Sequence, residues 1–123
     1  MANILIIDDS PTDVQVFTTL LERAGHQVTA VNSAEDGIER ARTTPPEAII
    51  MDVIMPGMNG FQATRTLTRD PITAHVPIIM ITTKSMETDR VWGLRQGARA
   101  FITKPVHENE LLACINGLLP SAP

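Results

Sequence analysis

The stretch Ile4-Leu5-Ile6-Ile7-Asp8-Asp9-Ser10-Pro11 turns from apolar to acidic at a single residue. Four consecutive apolar side chains, too few for a helix, read as a strand covered on both faces, as in a parallel sheet. Beyond the acids, Ser10 can cap a helix, Pro11 suits its first turn, and Asp13 stands where a capping-box acid would. Val14, Phe17, Leu21 and Ala24 then repeat at helical spacing, and Gly25 ends the helix. A strand that passes directly into a helix is one βα unit.

The same pattern recurs along the chain. Further strands are expected at Val28–Val31, Ala48–Met51, Ile78–Ile81 and Ala100–Thr103. The runs at 4–7, 48–51 and 78–81 are wholly apolar and belong at the centre of a sheet. Those at 28–31 and 100–103 include Thr and small residues and belong nearer its edges. Ser33 and Asp36 open a second helix carrying Ala34, Ile38 and Ala41, although Asp36-Gly37 by itself reads as a turn. Phe61, Thr64 and Leu67 suggest a third helix, entered by a loop at Asn59-Gly60 and stopped by Asp70-Pro71. A fourth runs from Met86 to Gln96, stopped by Gly97, and a fifth carries Leu111, Cys114, Ile115 and Leu118. Five βα units with right-handed crossovers make an open, doubly wound α/β sandwich of three layers. A closed (β/α)₈ barrel needs about twice this length.

Composition narrows the function classes. The chain has 123 residues, 43% hydrophobic and 20% charged, with a formal net charge of -4. That length fits one domain over residues 1–123, with a core at 3–119, a frayed tail at 120–123 and no output domain expected. The negative balance disfavours nonspecific binding to nucleic acid or anionic membrane. No apolar run approaches the ~20 residues of a membrane span, and the N-terminus lacks signal-peptide features, so a cytoplasmic location is expected. One cysteine, Cys114, excludes an internal disulfide and a cysteine-built metal site.

Ligands of open parallel sheets bind at the carboxyl ends of the strands, where strand order reverses. Those ends carry Asp8-Asp9, Asp52, Thr82-Thr83 and Lys104-Pro105. With the strand order 2-1-3-4-5, Asp8, Asp9 and Asp52 converge. Close carboxylates repel by ~4 kcal/mol per pair at an intermediate dielectric, so the cluster must hold a proton or a cation. An all-oxygen donor set suits Mg²⁺. Lys104 would add positive charge towards a phosphoryl group, Thr82 a hydroxyl donor, and Asp52, on the middle strand, is the natural nucleophile. Taken singly, each residue has a plainer role as cap, turn residue or surface charge; four strand ends of complementary chemistry do not.

These residues, with the stretch Asp52-Val53-Ile54-Met55-Pro56-Gly57-Met58-Asn59-Gly60, resemble the receiver domain of two-component response regulators over residues 3 to about 119. The resemblance implies a flavodoxin-like, CheY-like fold. It makes Asp52 the acceptor of a phosphoryl group from a histidine kinase, with Mg²⁺ held by Asp8, Asp9, Asp52 and the backbone carbonyl of Ile54. It puts Thr82, Thr83 and Lys104 near the phosphoryl oxygens. It also makes Thr82 and Phe101 a switch pair and the Lys104–Pro105 bond cis. A narrower similarity, in Thr82-Thr83-Lys84, Glu87–Gly93, Gln96–Arg99 and Thr103–Val106, is to the single-domain regulators of type IV pilus chemosensory systems, which control twitching motility. It implies a monomeric signalling protein, with dimerisation on phosphorylation left open, and a partner face that includes Trp92, Arg99 and Phe101.

Other residues point less far. Trp92 is read as packing against Val91 and Leu94, with an aromatic anchor for a partner as the alternative. His26, His75 and His107 lack ligand spacing, Cys114 belongs to the apolar face of its helix, and Met55 and Met58 pack beside Asp52. Three other functions share parts of the pattern. A phosphate-sink receiver of another chemosensory pathway needs the same residues. A Mg²⁺-dependent phosphohydrolase is disfavoured by adjacent acids in place of Asp-x-Asp and by the lack of a cap insert. A flavin carrier is disfavoured by carboxylates where a flavin phosphate would bind.

Overall fold

The computed structural model describes residues 2–119, and the expected frayed tail at 120–123 lies outside the described residues. Five strands and five helices alternate: β1 (Asn3–Ile7), α1 (Pro11–Arg23), β2 (Gln27–Val31), α2 (Ala34–Thr43), β3 (Ala48–Met51), α3 (Gly60–Arg69), β4 (Ile78–Thr82), α4 (Glu87–Arg95), β5 (Ala100–Thr103) and α5 (Glu108–Leu118). The strands pair in parallel in the order β2-β1-β3-β4-β5, as the apolar runs require. Ile7 pairs with Val31 and Met51, and Thr82 with Thr103, so the strands end along one rim of the sheet.

Alternation along the strands builds two cores. Leu5, Ile7, Ile49, Met51, Ile78 and Met80 face the α2 and α3 side, with Ala41 and Leu67. Ile4, Ile6, Ile50, Ile79 and Ile81 face α1 and α5, with Phe17, Leu21, Leu111 and Ile115. Each fully buried Ile contributes about 2 kcal/mol, so the three central strands carry much of the stability. The edge strands β2 and β5 keep exposed residues.

Local chemistry starts the helices where the polar signals stand. Ser10 Oγ accepts from the Asp13 amide and Ser33 Oγ from the Asp36 amide. Asn59 and Gln62 form a reciprocal capping box, so the loop expected at Asn59-Gly60 also caps α3. Each such cap is worth about 1 kcal/mol. Gly25 and Gly97 take positive φ after α1 and α4. The Lys104–Pro105 peptide bond is cis.

α2 runs through Asp36-Gly37 as the second helix was expected to, and a Cβ on Gly37 would lie 2.7 Å from Ile7 Cγ1, so the glycine lets the helix approach the sheet. Three expectations are corrected. Trp92 is not packed away, since 48% of its surface is exposed, and Val91 and Leu94 are exposed too. α4 rests on the sheet through Gly93, its one buried residue, and side chains about 100° to either side of it face outward. Cys114 is half-buried, off the centre of the buried face, and burial aided by the Glu110 charge pushes its thiol pKa up. Ala24 is the exposed C-cap of α1.

Gly37→Ala sets two effects against each other. Alanine gains up to ~1 kcal/mol of helix propensity, whereas overpacking against a fully buried, β-branched Ile7 costs ~1–3 kcal/mol. The expected outcome is a lower urea midpoint at an unchanged m-value. A midpoint above the parent's would show that Ile7 yields.

Candidate functional site

β1 and β3 end side by side, and Asp8 and Asp52 immediately follow them. One carboxylate oxygen from each of Asp8, Asp9 and Asp52 lies within 4.8 Å of the others. Asp8 is 1% exposed and Asp52 is buried as well, whereas Asp9 lies open at the rim. Backbone amides orient the two buried acids. Asp8 Oδ1 accepts from the Ser10 amide at 2.9 Å, and Asp52 Oδ1 from the Val53 amide at 2.8 Å.

Lys104 follows β5 and reaches across the rim. Its ammonium lies 3.8 Å from Asp52 Oδ2, 3.2 Å from Asp8 Oδ2 and 2.6 Å from Asp13 Oδ2. Its side chain is only 12% exposed, and Nζ stands 5.9 Å above the Phe17 ring. Burial works against the charged ammonium, but the Asp13 hydrogen bond and the charges of Asp52 and Asp8 outweigh it and hold the pKa above the usual lysine value. For Asp52, burial and then the Asp8 charge push the pKa up to about 6, against the opposing effects of Lys104 and the Val53 and Ile54 amides.

The remaining expected residues frame the same rim. Thr82 is fully buried, and its Oγ1 accepts from the Lys84 amide at 3.3 Å. Thr83 is exposed. Met80 pairs with Phe101 and Thr82 with Thr103, so Thr82 and Phe101 lie on the same face of the sheet, the one α4 covers. Phe101 is half-buried, and a Cβ on Gly93 would lie 3.1 Å from its ring. Ile54 extends an exposed side chain from the loop after β3, while Met55 is buried and Met58 half-buried in the core beneath it. Trp92 and Arg99 are both exposed, but Arg99 precedes β5, at the opposite end of the sheet from Asp52. Among the histidines, His26 Nδ1 accepts from the Ala2 amide, a structural role.

Two residues of the site were missed from the sequence. By its position Asp13 reads as a capping acid, but its carboxylate accepts from Lys104, and Phe17, a core residue by its spacing, also lies under that ammonium. They stand one helical turn apart on α1, which placed them on a common face. Nothing along the chain linked that face to Lys104, 91 residues after Asp13.

Fold and site together define a response regulator receiver domain, and the chain belongs to that family, whose pattern it matches over residues 4–116. It is 54% identical over 119 residues to the protein PilH of Pseudomonas aeruginosa, covering 97% of this chain and 98% of that one. It is also 35% identical to the response regulator PleD of Caulobacter vibrioides, over 95% of this chain but 26% of that longer protein. Among solved structures, the Vibrio cholerae chemotaxis protein CheY4 superposes with a TM-score of 0.90 at 28% identity, over 97% of this chain and 99% of that one. The receiver domain of the sensor histidine kinase PA1611 from Pseudomonas aeruginosa, with magnesium coordinated in its active-site cleft, gives 0.90 at 28% identity over 98% of both. The domain is therefore a two-component signalling module. Its oxygen-only acidic cluster fits the divalent cation that receivers bind.

The raised Asp52 pKa has a stability consequence. An acid with a pKa raised by folding holds its proton more tightly in the folded state, so stability falls as pH rises from the usual 3.8 through about 6. Above that window the ionised carboxylate costs on the order of 3 kcal/mol. In metal-free buffer at pH 7, Asp52→Asn is expected to melt above the parent protein, with the gain shrinking towards pH 4. Mg²⁺ should raise the parent's Tm more than the variant's. Equal melting at both pH values would show that the carboxylate is not strained by burial.

Proposed function

We propose that this protein is a phosphoryl-accepting switch of a type IV pilus chemosensory relay, acting in the cytoplasm as a resting monomer. The observation that carries the proposal is the buried Asp52 carboxylate, set against Asp8 with the Lys104 ammonium 3.8 Å away. An Asp52 oxygen attacks the phosphorus of a kinase phosphohistidine; the P–N bond breaks and its electron pair leaves with the imidazole. Asp8, Asp9, Asp52 and the Ile54 carbonyl would hold Mg²⁺, which supplies positive charge to the phosphoryl oxygens. Lys104 neutralises a further part of that charge, and Thr82 turns its hydroxyl from the Lys84 amide towards the same group, beside the open Thr83.

Phosphorylation replaces the single charge of the Asp52 carboxylate by up to two on the phosphoryl oxygens, beside the largely buried Lys104 ammonium. Movement of Thr82 frees space on the face it shares with Phe101, and the half-buried ring can then follow inward. The change would be read on α4 and β5, where Trp92 is exposed, by a protein partner. Support for the pilus pathway comes from the resemblance over residues 82–106 and from 54% identity to PilH along nearly the whole chain. No helix among the described residues is long and apolar enough to cross a membrane, which accords with a location beside a cytoplasmic kinase domain.

With Mg²⁺ and a phosphorylated chemosensory kinase, the parent protein should take up label within minutes, and Asp52→Asn should take up none. Full labelling of that variant would move the acceptor elsewhere. In cells, Asp52→Asn should alter twitching; unchanged twitching with lost labelling would reject the pathway and keep the chemistry.

A further inference from the structure

The shortest contact of the site's cation is with a residue outside the acceptor cluster. Lys104 Nζ stands 2.6 Å from Asp13 Oδ2 and 3.8 Å from Asp52 Oδ2, so the hydrogen bond goes to Asp13 and only a longer ion pair to Asp52. Asp13 is well fixed for this. It sits in the first turn of α1, with its amide on Ser10 Oγ. Phe17, one turn on, lies under the same ammonium, so a single helix face brackets Lys104. The Asp13 side chain is 34% exposed, against 12% for Lys104, so the contact closes over the lysine from the solvent side.

We infer that Asp13 is a positioning residue that holds Lys104 away from the acceptor and thereby limits the rate of phosphoryl transfer, a role that rests on Asp52 being the acceptor. In transfer from an acyl phosphate, an Asp52 oxygen attacks phosphorus, the P–O bond to the acyl group breaks, and the carboxylate leaves with the electron pair; no proton moves. Charge accumulates on the three equatorial phosphoryl oxygens of a loose transition state, and a cation brought to them lowers the barrier. Lys104 keeps its three protons throughout, but can approach those oxygens only by giving up Asp13. Asp13 therefore stabilises the resting arrangement against the transition state.

The test is the rate of phosphorylation by acetyl phosphate in saturating Mg²⁺, followed by intact-protein mass spectrometry across donor concentrations. Asp13→Asn is expected to raise the maximal rate about two- to fivefold, the fold-change that release of a partly exposed ion pair corresponds to. Asp13→Glu, which keeps the charge, should return it to the parent value. Asp36→Asn is the control for the general field: Asp36 shares a surface hollow with Asp8 and makes no ion pair with Lys104. It should shift the half-saturating donor concentration and leave the maximal rate. Should Asp13→Asn fold poorly, Asp13→Ser removes the same carboxylate. An unchanged or lower maximal rate in the Asp13 variants, or an equal gain in Asp36→Asn, overturns the role of Asp13. Labelling that persists in Asp52→Asn would instead overturn the acceptor assignment itself.

Discussion

The central strands are buried on both faces, and that one constraint arranges everything else. Apart from the exposed Asn3 where β1 begins, β1, β3 and β4 admit no polar side chain until they reach the rim, because an unpaired polar group between two helical layers costs several kcal/mol. Charge is thereby pushed to one edge of the sheet. Parallel pairing with matched register then brings Asp8, Asp52, Thr82 and Lys104 to that edge from sequence positions up to 96 residues apart. A functional site at the strand ends is a consequence of how the core is built.

Crowding follows from the same burial. Asp8, Asp13 and Asp52 all lie within 3.8 Å of the Lys104 ammonium, with Asp9 beside them, and burial, followed by the Asp8 charge, raises the Asp52 pKa. The site is thus poised for added positive charge, and three of the chain's four net negative charges are concentrated in Asp8, Asp9 and Asp52. Surface ion pairs such as Arg23–Glu108 are exposed on both sides and contribute at most ~1 kcal/mol each. The electrostatics that matter lie at the rim.

The far side of the molecule is built more loosely. α4 meets the sheet through Gly93 and leaves Met86, Val91, Trp92 and Leu94 exposed, while Phe101 is only half-buried beneath it. A helix with one buried residue has little to lose by shifting, which suits the element next to a buried Thr82. The sequence pattern did not reveal this. An apolar Trp92 between Val91 and Leu94 reads as core unless the neighbouring glycine is known to take the inward position.

The sequence by itself determined the alternation of strands and helices, the three central strands, the caps at Ser10 and Ser33, and the membership of Asp8, Asp9, Asp52, Thr82 and Lys104 in one rim. Those features are local: an apolar run of strand length, or a hydroxyl before a helix, has the same meaning wherever it occurs. Tertiary structure alone decided that Gly37 is a packing contact with Ile7, that Trp92 faces outward, and that Asp13 holds Lys104. Each of these depends on distance in space between residues that no spacing along the chain relates. Periodicity shows which face a side chain is on; only the packed fold shows what stands opposite it.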